Sequence, residues 1–195
     1  MNKLSLIVGL GNPGSEYAQT RHNAGFWYVQ QLADQYRISL KNDPRFFGIS
    51  GRGTIEGQEV RLLLPTTFMN RSGQSVAPFV KFFQIPVQQI LIAHDELDMP
   101  AGIIRLKTGG GHGGHNGLRD IVPHIGADFH RLRIGIGHPG SREKVTGHVL
   151  GKAPAAEQNI LDQAIEQALQ QTHLLVNGEV SKAMNLLNAF KPERG

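Results

Sequence analysis

The chain contains no cysteine, which removes disulfide bridges, a thiolate nucleophile and cysteine-based zinc sites from consideration. No apolar run approaches the ~18–20 residues of a membrane-spanning helix. The opening residues MNKLSLIVGLGN lack the longer apolar core and cleavage site of a secretory signal. There is no G-x-S-x-G elbow, so a serine hydrolase has no support. Charged residues make up 18% and hydrophobic residues 39%, ordinary values for a soluble globular protein. These absences point to a cytoplasmic protein without a membrane partner.

Glycine, by contrast, is plentiful, at 24 of 195 residues, and it is costly inside regular structure. So many glycines predict several loops of special geometry. The length fits one domain over residues 1–195. The net charge of +4 is uneven: residues 99–152 carry eight basic and three acidic side chains and six of the nine histidines. A basic middle holding Arg105, Lys107, Arg119, Arg131 and Arg133 suits an anionic partner such as a nucleic-acid backbone, and equally a solvated basic surface.

Apolar periodicity predicts strands at 4–10, 46–55, 60–64, 90–93, 103–106 and 132–136. Helices are expected from Phe26 to Tyr36, from Val76 to Phe83 after a Ser72 cap, over 118–125 with a break or kink near Pro123, from Ile160 to Leu169, and from Val180 to Leu187. Thr20 or Asn23 is the expected cap of the first helix. The interleaving predicts a single-domain α/β fold, a twisted mixed β-sheet covered by helices.

Four features bear on chemistry. Gly9, Gly11 and Gly14 spell G-x-G-x-x-G after the first strand, but Pro13 removes a backbone donor and Tyr17–Thr20 delays the helix. Asp34, 20 residues past Gly14, lies within a helical pattern rather than after a second strand. A dinucleotide site is therefore disfavoured. The tract GGGHGGHNG at 109–117 can bring backbone close to a ligand, but no Lys-Ser or Lys-Thr follows it as in a phosphate-binding Walker loop. His112 and His115, with Asp95, Glu96 and Asp98, invite a metal reading, yet histidines on a glycine loop lack the rigidity of helical ligand pairs, and no metal is expected. Asn12, Asn70 and Asn116 each follow a strand or glycine signal. Together they could hold an ester or amide and donate to an oxyanion; singly each reads as a turn or cap residue. Asp95 ends a strand, where a carboxylate can orient a histidine such as His22 as a base.

Five blocks in order carry a resemblance: GLGNPG…TRHNAGF at 9–26, PTTFMNRSG at 65–73, HDELDMPAG at 94–102, GGGHGGHNGLRD at 109–120 and RLRIGIGHPG at 131–140. Over nearly the whole chain it resembles the bacterial peptidyl-tRNA hydrolase family. The resemblance implies that His22 is a general base activating water and Asp95 keeps it proton-accepting. It further implies that Asn12 separates blocked from free aminoacyl groups and that Asn70 and Asn116 hold the substrate around the scissile ester. Tyr17 and Phe68 would line the cleft for the tRNA 3′ end, and Lys107 and Arg133 would meet tRNA phosphate. His138 stands where many members have arginine, and Lys152 ends VLGK where an aromatic often follows, so these peripheral contacts are open. The implied substrate is peptidyl-tRNA, acted on by a monomer without cofactor. An NAD(P)H-binding enzyme, a non-catalytic RNA-binding module and a metallohydrolase are the alternatives.

Overall fold

The computed structural model describes residues 2–193. Its centre is a seven-stranded mixed sheet, formed by β1 (Leu6–Gly9), β2 (Lys41–Asp43), β3 (Gly48–Ile55), β4 (Gln58–Pro65), β5 (Ile90–Glu96), β6 (Ile104–Thr108) and β7 (His130–Gly135) in the order β2-β3-β4-β1-β5-β7-β6. β1 lies parallel between β4 and β5, and β5 runs parallel to β7. The two margins are antiparallel, β2–β3–β4 on one side and β6–β7 on the other.

The described residues include seven α-helices: α1 (Ala24–Gln35), α2 (Gly73–Phe82), α3 (Asn116–Ile125), α4 (Val145–Val149), α5 (Ala155–Gln170), α6 (Thr172–Val176) and α7 (Val180–Ala189). β1 is buried along its whole length, because both of its faces are covered. Ile7, Leu62, Leu91 and Leu132 pack with Tyr28, Leu32, Ile165 and Leu187 on one side. Leu6, Val8, Leu63 and Ile92 pack with Phe79, Leu118 and Ile121 on the other. That two-sided burial explains why the central strands read as continuous apolar runs rather than as alternation.

The expected α/β architecture is what the structure shows, with local differences. Asn23 and Thr20 make no side-chain cap; a 3-10 turn at Arg21–Asn23 leads into α1. Asn23 instead accepts from the Asn12 backbone N–H at 2.9 Å and donates to the Asn12 carbonyl at 3.0 Å. Ser72 has helical dihedrals and gives its hydroxyl to the Met69 carbonyl, so it does not cap α2. The predicted strand from Phe46 starts at Gly48, since Pro44–Phe46 forms a 3-10 turn and Phe47 is left-handed. α3 continues past Pro123 to Ile125. No helix among the described residues is long and apolar enough to cross a membrane.

Candidate active site

The connection after β1 runs through α1 on one face of the sheet, and the connection after β4 runs through α2 on the other. Chain segments leaving neighbouring parallel strands toward opposite faces open a crevice at the strands' C-terminal ends. A cleft of about 390 Å³ lies there. Asn12 and Tyr17 reach it from the loop after β1, Phe68 and Asn70 from the segment after β4, Asp95 from β5, and His115 and Asn116 from the start of α3, while Val145, Thr146, Val149 and Leu150 line it from α4.

His22 sits on the 3-10 turn that enters α1, which places its ring over the end of β5. Its Nδ1 lies 2.8 Å from Oδ2 of Asp95. A carboxylate only accepts, so Nδ1 donates, and in the neutral ring Nε2 keeps its lone pair. Burial works against charge on Asp95, but the imidazoles of His22 and His115 outweigh it and hold the carboxyl far below the usual carboxylate range. Burial likewise opposes the His22 imidazolium, yet the charge and hydrogen bond of Asp95 raise its pKa above the ordinary value of 6.5. His94, next along β5, donates through Nδ1 to the Asp95 carbonyl at 2.8 Å. Burial first, and the neighbouring His115 ring second, push its pKa down to about 3, so it stays neutral.

Two of the three amides are held by neighbouring donors. Oδ1 of Asn12 accepts from the Met69 N–H at 2.7 Å, which ties the loop after β1 to the segment after β4. Oδ1 of Asn116 accepts from Arg119 at 3.1 Å. Tyr17 and Phe68 meet edge to face at the mouth, with centroids 6.2 Å apart, and Phe68 is 57% exposed. His22, Asp95 and His115 place one ligand-type atom each within 4.8 Å of the others. Those atoms are engaged in hydrogen bonds of 2.8 and 2.9 Å along Asp95, and His115 Nδ1 accepts from backbone, so the nitrogen facing Asp95 carries the proton. In this arrangement the three side chains form a hydrogen-bonded chain, and a zinc ion would require the ring nitrogens facing Asp95 to be unprotonated.

Lys107 and Arg133 are not on this cleft. They border a neighbouring depression of about 280 Å³ together with His94, Glu96, Asp98 and Arg131. Arg133 is paired with Glu96 at 3.1 Å, and Lys107 is exposed. Arg131, counted among the basic residues of the middle segment, is buried and used structurally. It donates to the carbonyls of Gly110, Gly111 and Ala127 and stacks 4.5 Å from the Phe129 centroid. His138 and Lys152 are exposed and are not among the cleft's lining residues.

Of the nine side chains expected at the site, seven therefore line one cleft and two share the next. Sequence reasoning placed His115 only as a potential metal ligand. A histidine directly ahead of a helix, at a capping position, was the available signal for its role. The α4 residues carried no signal, because a five-residue helix has too little periodicity to see.

A buried carboxylate–imidazole pair facing an amide-lined crevice in an α/β fold places the chain in the class of α/β hydrolytic enzymes. The family model described as peptidyl-tRNA hydrolase matches residues 6–194. The chain belongs to the peptidyl-tRNA hydrolase family. It is 73% identical to the peptidyl-tRNA hydrolase of Acinetobacter baylyi, over 99% of this chain and all of that one. Against that of Psychrobacter arcticus it is 62% identical, over 96% of this chain and 97% of that one. The crystal structure of peptidyl-tRNA hydrolase from Acinetobacter baumannii superposes with a TM-score of 0.98 at 74% identity, covering 99% of this chain and 98% of that one.

Proposed function

We propose that this protein is a carboxylic ester hydrolase that cleaves the bond between a peptide, or an N-blocked aminoacyl group, and the 3′ ribose of tRNA. The observation that carries the mechanism is the His22–Asp95 pair, 2.8 Å apart, with Nε2, a lone-pair acceptor in the neutral ring, left over beside the cleft. Nε2 takes a proton from water as the water oxygen bonds to the ester carbonyl carbon. Asp95 stabilises the imidazolium so formed. The carbonyl becomes an oxyanion, and Asn12, whose Oδ1 is already engaged, has its Nδ2 hydrogens free to meet the acyl group. When the carbon–oxygen bond to ribose breaks, the imidazolium returns the proton to the departing 3′ oxygen. The products are a peptide carboxylic acid, which ionises to the carboxylate by releasing its proton to solvent, and a tRNA 3′ hydroxyl.

Asn70 and Asn116 hold the substrate around the ester, with Asn12 reading the blocked amino group, and Tyr17 and Phe68 receive the tRNA 3′ end. Lys107 and Arg133, in the depression beyond Glu96, take backbone phosphate. The reaction needs neither metal nor cofactor. The reading is of a monomer in the cytoplasm, where its substrate would arise.

The test is single-turnover cleavage of N-acetylated and of free aminoacyl-tRNA. His22→Ala is expected to lose at least roughly 10²–10⁴-fold and Asp95→Asn a comparable factor, with the wild type ignoring the free ester. Full activity in His22→Ala overturns the mechanism. Binding without turnover would make the chain an RNA-binding module, dependence on NAD(P)H a dinucleotide enzyme, and loss of activity in chelator a metallohydrolase.

A further inference from the structure

A second imidazole touches the His22–Asp95 pair. His115 Nε2 lies 2.9 Å from Oδ1 of Asp95, the oxygen that His22 does not use. Its other nitrogen, Nδ1, accepts from the backbone N–H groups of Gly117 at 3.1 Å and Leu118 at 3.3 Å. A ring nitrogen that accepts carries no proton, so the single proton of a neutral His115 is on Nε2 and points at the carboxylate. The side chain is 8% exposed, and its ring contacts both His22 and His94, with centroids 5.1 and 5.0 Å away. The loop that delivers it is held from below by the Arg131 guanidinium on the carbonyls of Gly110 and Gly111. Backbone, a buried arginine and the start of α3 thus combine to fix one tautomer of one histidine.

We propose that His115 is a positioning residue for the hydrolysis: a neutral donor that holds Oδ1 of Asp95, keeps Oδ2 aimed at Nδ1 of His22, and shares the carboxylate's charge between two rings. This rests on His22 being the base. A carboxylate bonded to one imidazole alone holds that imidazole's proton tightly, and a base that stays protonated at neutral pH cannot accept another. A donor on the second oxygen weakens that pull. The other charged and titratable groups near His22 are His94 on β5, Glu96 at the cleft rim and Arg21 on its own turn, whose guanidinium is committed to Glu157 and the His148 carbonyl.

Three variants separate this role from simple capping or packing. His115→Asn keeps an acceptor for the Gly117 and Leu118 N–H groups, since Asn is a preferred cap, but is too short to reach Asp95. His115→Leu fills the space without a donor, and His115→Gln restores an amide N–H at the reach of Nε2. Each is titrated by NMR of the His22 ring in the intact protein, and by the pH dependence of kcat/KM on N-acetylaminoacyl-tRNA. In the Asn and Leu variants the His22 pKa and the acidic limb of kcat/KM are expected to move up by roughly one pH unit. The Gln variant is expected within a few tenths of wild type. A His115→Asn protein that titrates like wild type overturns the proposal, because the cap alone then accounts for His115. So does a Gln variant that shifts as far as Asn, or a Leu variant whose His22 pKa falls. The NMR titration needs no turnover, so loss of the base assignment, read from activity surviving in His22→Ala, stays distinguishable from loss of the His115 role.

Discussion

At the scale of single residues, the hydrogen-bond partners decide what each polar group still has to offer. The Met69 N–H occupies Oδ1 of Asn12 at 2.7 Å, so the amide meets the cleft as a donor. Asn12→Asp keeps the acceptor for Met69 and loses the Nδ2 hydrogens. It is expected to fold normally and to lose about 10²–10³-fold in kcat, the cost of one oxyanion donor, measured in the same single-turnover assay. His94 is read in the same way. Its Nδ1–H is spent on the Asp95 carbonyl, and its Nε2 is buried with no partner among the described residues. With a folded pKa of about 3 against 6.5 unfolded, the unfolded chain binds the extra proton between those values. Stability is then fully present above about pH 6.5 and falls as pH drops toward 3. His94→Asn is expected to flatten that slope in urea denaturation followed from pH 7 to pH 4.

Elements bring those residues within reach, and here the glycines of the opening loop find their use. A Cβ on Gly25 would lie 2.3 Å from the Ala93 carbonyl oxygen, and one on Gly9 the same distance from the Gly25 oxygen. α1 can therefore lie directly against β1 and β5, which sets the His22 ring beside Asp95. Gly9 and Gly11 of the G-x-G-x-x-G spelling are there for packing, the latter with a Cβ position 2.7 Å from the Phe26 ring, whereas Gly14 takes a left-handed φ of 103°. Gly25→Ala is expected to cost about 1–3 kcal/mol and, by tilting α1, about tenfold or more in kcat. Thermal melting and steady-state kinetics check the two effects together. Arg21 secures the same turn from its other side, through Glu157 at 3.1 and 3.3 Å and the His148 carbonyl at 3.0 Å. Arg21→Met is expected to lower stability by about 1–3 kcal/mol, and adding Glu157→Gln to it should cost little more, the mark of one shared interaction in a double-mutant cycle.

For the molecule as a whole, the distribution of charge separates chemistry from grip. The His22–Asp95 pair is buried at the strand ends, whereas Lys107 and Arg133 stand in a separate depression past Glu96. A phosphate contact there would be made equally in the ground and transition states. Rising salt is therefore expected to raise KM with kcat nearly unchanged, and Lys107→Ala to reduce the slope of log KM against log salt by about one. A slope unchanged by Lys107→Ala would remove that residue from the RNA path. Arg131 shows why counting basic residues overstates such a surface. Its guanidinium is spent on three backbone carbonyls and one aromatic ring, and none of that is visible in a count.

The α/β architecture, the central strands and the long helices α1, α5 and α7 were legible in the amino-acid order, because two-sided burial leaves unbroken apolar runs and helical packing leaves a 3.6-residue period. The β3–β4 turn is made by Glu56 and Gly57, both with positive φ. The residue types that the cleft gathers, a histidine, a strand-end carboxylate and loop amides, could likewise be named from motifs. Short segments such as β2, α4 and α6 were not, since their length carries no period. The tertiary structure decided the partners. Asn23 leaves the helix it was expected to cap and clamps Asn12, Ser72 turns back to Met69, and His115 faces Asp95 across 20 positions of sequence. The physical reason is the same each time. A polar side chain near a helix end has several local hydrogen bonds of similar worth, and only the burial imposed by the folded chain makes one of them obligatory.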